Sequence, residues 1–156
     1  MKAKVLVDSN VLVYAYDRSE PRKQAQALEV LDRLALSGAG VISTQVLAEF
    51  FKAATRKIAA PLTISQATES LKNYLQSWTV LDTTSLVVLE AARGVQEHAF
   101  NFWDAQVWAA ARLNQIALVF SEDFRPGSVV EGVRFVNPFS ETFELQEWHR
   151  WASLTD

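Results

Sequence analysis

The chain alternates short apolar runs with longer stretches of helical period. Lys4 to Val7 is a brief run rich in β-branched residues and predicts a buried strand. Asn10 to Tyr16 predicts a helical turn, and Asp17-Arg18-Ser19-Glu20-Pro21 a polar loop whose proline suits a helix start. In residues 22–36 the apolar positions Ala25, Leu28, Leu31, Leu34 and Ala35 recur at helical spacing, and Ser37-Gly38-Ala39-Gly40 stops that helix. Val41 to Ser43 predicts a second strand, with Thr44 as N-cap of a helix that reaches about Ala59 before Pro61 breaks it. Thr63 or Ser65 starts an amphipathic helix with Ala67, Leu71, Tyr74 and Leu75 inward. Trp78 to Leu81 reads as a strand, Thr84 to about Gln96 as a helix, Glu97 to Asn101 as a loop, Phe102 to Asn114 as a helix and Ile116 to Phe120 as a strand. Past Pro126-Gly127 a last short strand covers Arg134 to Val136, and residues 140–152 predict a terminal helix with Phe143, Trp148 and Trp151.

Short apolar strands separated by helices predict an α/β fold with a parallel sheet covered on both faces. In such sheets ligands collect outside the carboxyl ends of the strands. The 156 residues predict one domain over 1–156, with 139–156 as a C-terminal helix or interaction tail, and 49% hydrophobic residues suffice for a core of that size.

Four acidic positions stand out against this apolar background. Asp8 ends the first strand, Glu49 interrupts Val46-Leu47 and Phe50-Phe51, Asp104 opens the helix after Asn101, and Glu122-Asp123 follows the strand ending at Phe120. A carboxylate near apolar surroundings is costly without a partner. Several at element ends, far apart in sequence, predict one acidic pocket for a hard divalent cation. Each has a plainer explanation. Asp8 can cap the next helix. Glu49 can pair with Lys52 or Arg56, although such pairs contribute only a few tenths of a kcal/mol. Asn101 with Asp104 resembles a capping box, and acidic pairs in loops are mostly solvated. Of the last pair Asp123 is favoured, with Glu122 as substitute or supporting group. His98 and His149 lack metal-ligand spacing and read as surface or loop residues. Ser9, Ser43 and Ser121 have no nucleophile elbow, and the five tryptophans read as packing residues, with Trp148 and Trp151 open to an interaction surface.

Net charge is −3, but residues 1–60 carry nine Lys/Arg against six Asp/Glu while residues 61–156 carry six against twelve. A nucleic-acid substrate would need a basic edge beside the acidic centre; Lys52, Arg56 and Lys57 are the candidates, with Arg18 and Arg112 as further options. The absence of cysteine excludes thiolate sites and is compatible with a reducing cytoplasm. The N-terminus lacks the apolar core of a signal peptide, and no uncharged apolar run reaches the roughly 18 residues of a membrane span.

At this point four segments match a family. Val7-Asp8-Ser9-Asn10-Val11-Leu12-Val13-Tyr14-Ala15, Ser43-Thr44-Gln45-Val46-Leu47-Ala48-Glu49-Phe50, Phe102-Trp103-Asp104-Ala105 and Ser121-Glu122-Asp123-Phe124 resemble, in order and spacing, the acidic motifs of PIN-domain nucleases, most of all VapC-type toxins of toxin–antitoxin pairs. The resemblance runs from Lys4 to about Asn137. It implies an α/β/α sandwich and a magnesium- or manganese-dependent endoribonuclease, usually dimeric and inhibited by a small antitoxin. It places Asp8, Glu49, Asp104 and Asp123 at the acidic positions, as catalytic and metal-binding groups, and Ser9, Asn10, Ser121 and Glu122 beside them. The alternatives are a catalytically silent module that binds RNA or protein, a solitary RNA-processing nuclease, and a phosphoryl-transfer enzyme with Asp8 as nucleophile.

Overall fold

A computed structural model describes residues 3–147. Its elements are β1 (Val5–Val7), α1 (Ser9–Tyr14), α2 (Pro21–Ser37), β2 (Gly40–Ser43), α3 (Thr44–Arg56), α4 (Ile64–Ser77), β3 (Thr79–Leu81), α5 (Ser85–His98), α6 (Phe102–Leu113), β4 (Leu118–Phe120), β5 (Val129–Val130) and β6 (Val133–Val136), followed by a 3₁₀ turn at Leu145–Glu147. The strands form one sheet in the order β3-β2-β1-β4-β6-β5, parallel throughout except for the β5–β6 hairpin at one edge. Helices cover both faces, which is the expected α/β/α sandwich. The central strands β1, β2 and β4 are buried at every residue, as a sheet covered on both faces requires.

Register sets up the functional edge. Val5 lies opposite both Gly40 and Leu118, and Val7 opposite Phe120. The ladder continues through Asp8 N–H to Phe120 O at 3.0 Å and Ser121 N–H to Val136 O at 3.0 Å. Asp8, Ser43 and Ser121 therefore leave the sheet along the same carboxyl-terminal edge.

Several local expectations change. The buried face of α2 is Ala27, Val30, Leu31 and Leu34, whereas Ala25, Leu28 and Ala35 face solvent. Apolar residues stand on the exposed side of that helix as well as the buried one, so spacing alone chose a face rotated from the real one. Gly38 closes α2 with φ +71, which glycine adopts without strain. Ser43 rather than Thr44 caps α3, accepting Val46 N–H at 3.1 Å, and α3 ends at Arg56. Thr63 caps α4 in a capping box, and Leu75 is 56% exposed rather than inward. The β5 strand escapes a reading by hydrophobic runs because it has two residues and pairs across a turn containing Glu131 and Gly132, both at positive φ. Residues 140–144 are not helical; Phe143 instead packs edge-on against Phe120, with ring centroids 5.5 Å apart. Trp148 and Trp151 lie outside the described residues.

Helices α5 and α6 pack at unusually close range, because Gly94 faces the fully buried Trp108. A methyl on Gly94 would come within 2.8 Å of that indole, whose Nε1 donates to Val130 O at 3.1 Å and fixes the ring. Gly94→Ala sets a helix-propensity gain of about 1 kcal/mol against overpacking of about 1–3 kcal/mol. The overpacking should win because the ring cannot retreat. Urea unfolding of Gly94→Ala should show a net loss of roughly 1–2 kcal/mol; an unchanged or higher midpoint would contradict this packing.

Candidate active site

Each acid arrives by a different structural route. Asp8 follows β1 and is the N-cap of α1, its Oδ1 accepting Ser9 N–H at 2.7 Å. Capping and convergence on the site are thus both true of it. Its Oδ2 accepts the Ser121 hydroxyl at 2.7 Å, so both oxygens are oriented by the chain. Glu49 projects from α3 where it packs on α1; its Oε2 accepts Ser9 Oγ–H at 3.0 Å and its Oε1 accepts Gln45 Nε2–H at 2.7 Å. The competing explanation, a Glu49 pair with Lys52 or Arg56, does not form. Asp104 sits in the first turn of α6. That helix leads into β4, so its start lies over the strand's carboxyl edge. Asn101 caps it through Asp104 N–H at 2.9 Å and also donates its Nδ2–H to Asp104 Oδ2 at 2.6 Å. The reciprocal bond of a capping box is therefore replaced by a side-chain pair that aims the carboxylate.

Asp123 comes from the loop after β4. Oxygens of Asp8, Asp104 and Asp123 all lie within 4.8 Å of one another. Asn10 Nδ2 ties the cluster together, 3.0 Å from Ser121 Oγ and 3.2 Å from Asp123 Oδ2. Glu122 goes elsewhere: its carboxylate accepts Tyr14 O–H at 2.7 Å and Lys23 Nζ–H at 3.1 Å. Geometry thus separates two neighbours that sequence could not. Ser9, Asn10 and Ser121 are the neutral donors of this network, each bonded to at least one of the acids.

Among the described residues, no Lys or Arg forms an ion pair with Asp8, Glu49, Asp104 or Asp123, whereas the acids Glu122, Glu90 and Glu131 each have one. Glu122 has Lys23, Glu90 has Arg93 and Arg112, and Glu131 has Arg93, Arg112 and His98. This last network occupies Arg112, which is therefore not a phosphate ligand beside the acids. It also places His98 at the half-buried end of α5, 2.7 Å from Glu131, rather than in a loop. Glu97, His98 and Glu131 form a second cluster of potential ligand atoms, but the adjoining guanidiniums already satisfy its charge.

The acids at the sheet edge carry the electrostatic signature of unshared charge. Burial pushes the Asp8 carboxyl up to about 7; the charges of Glu49 and Asp123 add to that, and the bonds from Ser121 and Ser9 oppose it. Asp104 is also raised, by burial first, with the Asn101 bond opposing and Asp123 and Glu49 adding. Two such charges about 4 Å apart repel by roughly 4 kcal/mol at an effective dielectric of 20. The set is all carboxylate, close enough to share one ion, and lacks any other cation, so these residues fit a hard divalent metal such as Mg²⁺ or Mn²⁺.

A groove of about 750 Å³ adjoins the cluster, lined among others by Ser9, Glu49, Lys52, Lys57, Trp103 and Gln106. Lys52 and Lys57 thus stand beside the acids as expected; exposed Arg56 and Arg18 are not among the lining groups. Sequence reading missed Gln106 and the exposure of Trp103, which is 63% accessible rather than packed. The usable signal was present: Gln106, like Glu49, is a polar residue inside an apolar helix, between Ala105 and Val107.

The PIN-domain profile matches residues 5–130. This chain is a PIN-domain protein. No curated protein matches it in sequence. Among solved structures, it resembles VapC20 of Mycobacterium tuberculosis, described as a toxin that cleaves the sarcin–ricin loop, with TM-score 0.61, 21% identity and coverage of 84% of this chain and 99% of that one. It also resembles the DNA-bound VapBC of Salmonella typhimurium (TM-score 0.63, 15% identity, covering 88% and 99%) and a toxin–antitoxin complex from Klebsiella pneumoniae (0.62, 16%, 86% and 98%). At these identities the likeness establishes the PIN fold shared with VapC structures.

The Asp8 environment gives a sign-defined prediction for the metal-free PIN domain. A carboxyl raised from 3.8 to about 7 binds its proton more tightly folded than unfolded, so its contribution favours folding below about pH 4 and is lost as pH rises towards 7. Asp8→Asn removes this loss. Denaturant titrations in chelator should show the difference between Asp8→Asn and the parent growing from pH 4 to pH 7, by up to roughly 4 kcal/mol. A difference independent of pH would mean that the Asp8 charge is not strained.

Proposed function

We propose that this PIN-domain protein is a Mg²⁺- or Mn²⁺-dependent endoribonuclease and the toxin of a toxin–antitoxin pair, acting in the cytoplasm as a homodimer restrained by a small antitoxin protein. The observation that carries the hydrolytic reading is the meeting of Asp8, Asp104 and Asp123, from three chain segments, with oxygens within 4.8 Å and no ion pair to a Lys or Arg among the described residues. The RNA substrate is supported by the fold shared with a toxin described as cleaving the sarcin–ricin loop, and the antitoxin by the fold shared with VapBC complexes. Exposed Leu86 and Leu89, one turn apart on α5, support self-association. No helix among the described residues is long and apolar enough to cross a membrane.

In this mechanism Asp8, Asp104 and Asp123 would hold the ion. A bound divalent ion supplies an activated water and polarises the phosphoryl group of the scissile bond. Ser121 and the Ser9 N–H keep both Asp8 oxygens in fixed directions, and Asn10 couples Asp8 and Ser121 to Asp123. Glu49, braced by Ser9 and Gln45, would hold and orient a water beside these acids. Lys52 and Lys57 hold flanking phosphates, with Arg56 on the same helix as an outer contact. Single-stranded or loop RNA suits an open groove, because its bases and phosphates are free to enter.

Cleavage of total RNA tests this reading. Wild type should cut with Mg²⁺ or Mn²⁺ and stop in chelator. Asp8→Asn and Asp104→Asn, checked for folding by circular dichroism, should lose at least about a hundredfold, the upper range for loss of a mere supporting partner of a metal ligand. Cleavage unaffected by chelator, or by both substitutions, would refute it.

A further inference from the structure

The groove beside the acids contains a polar group for which phosphodiester hydrolysis has no use. Gln106 lines it, is only 5% exposed, and stands on α6 among buried neighbours Ala105, Val107 and Trp108. Its amide has no hydrogen-bond partner among the described residues. Among the described residues the one side-chain polar atom sealed from solvent without a partner is Arg134 Nε, outside this groove, so the Gln106 amide opens into the groove. An amide with no partner in the protein leaves its donor and acceptor free for whatever enters the groove, which makes its presence at a groove wall informative.

Two further features share the groove. Trp103 lies one helical turn before Gln106 and is 63% exposed; its carbonyl accepts Gln45 Nε2–H at 3.0 Å and its ring rests edge-on against Phe102 at 5.7 Å. Lys52 and Lys57 add positive charge from the end of α3. A side-chain amide offers a donor and an acceptor side by side, the pattern that matches the N6 and N7 edge of adenine. An exposed indole is a platform on which a base stacks, and ammonium groups suit the backbone phosphates. The lysines favour a polyanion over a protein segment as the occupant.

We propose that this groove is a nucleobase subsite in which Gln106 reads an adenine next to the scissile phosphate of single-stranded RNA while Trp103 stacks on it. The proposal rests on the nuclease reading and adds a base preference to it.

Two measurements separate the two claims. The first is cleavage, with Mn²⁺, of oligoribonucleotides that vary one base at a time around the cut. Wild type should prefer adenine at one flanking position by about tenfold or more, and in Gln106→Leu and in the shape-preserving Gln106→Glu that ratio should fall close to one. Trp103→Ala should raise KM more than it lowers kcat. The second is binding of labelled hexanucleotides to wild type in chelator, read by anisotropy, where the same adenine preference and the same dependence on Gln106 should appear. Absence of any base preference in wild type, or its persistence in both Gln106 variants, overturns the subsite. Adenine-selective, Gln106-dependent binding without cleavage supports the subsite and refutes the nuclease reading. Metal-dependent cleavage with no base preference does the reverse.

Discussion

The structure depends on gathering negative charge at the edge of a buried parallel sheet and leaving it, among the described residues, without a paired counter-ion. Asp8 is 2% exposed, which is a costly place for a carboxylate. The chain provides hydrogen bonds to its oxygens from Ser9 and Ser121, but these orient the charge without cancelling it. Elsewhere the protein pairs Glu122 and Glu90 with cations, through Lys23, Arg93 and Arg112. The contrast between these two treatments of acidic side chains is what gives the sheet edge its chemical meaning.

The rest of the fold maintains this arrangement. The parallel register brings β1 and β4 to a common end, so Asp8 and Ser121 meet although they are distant in sequence. Packing of α1 on α3 brings Ser9 to Glu49. Asn101 fixes the start of α6 and the direction of Asp104 together. The Arg93 and Arg112 guanidiniums join α5 and α6 to Glu131 in the β5–β6 turn, anchoring the helix that carries Asp104 to the far edge of the sheet. Stability of these distant contacts and geometry of the acids are thus parts of one network.

Much of this was legible in the sequence. Buried parallel strands announce themselves as short apolar runs, and Asp8, Glu49 and Asp104 are conspicuous because each breaks such a pattern. The illegible parts share a cause: they depend on contacts across the fold. Whether Glu122 or Asp123 joins the cluster is decided by Tyr14 and Lys23, which lie more than ninety residues away. The buried face of α2 and the solvent exposure of Leu75 depend on which neighbours the helices meet, and helical spacing alone leaves that open. The two-residue strand β5 has no period to detect. Gln106 carried the same signal as Glu49, a polar residue in an apolar helix, but an uncharged amide raises less suspicion than a carboxylate.

The central claim is that Asp8, Asp104 and Asp123, with Glu49 beside them, form a divalent-ion site, and the most direct measurement is the location of Mn²⁺ by anomalous diffraction from crystals soaked in it. The account predicts density bonded to oxygens of Asp8, Asp104 and Asp123. Manganese bound only at the Glu97–His98–Glu131 cluster, or at neither cluster, would contradict it.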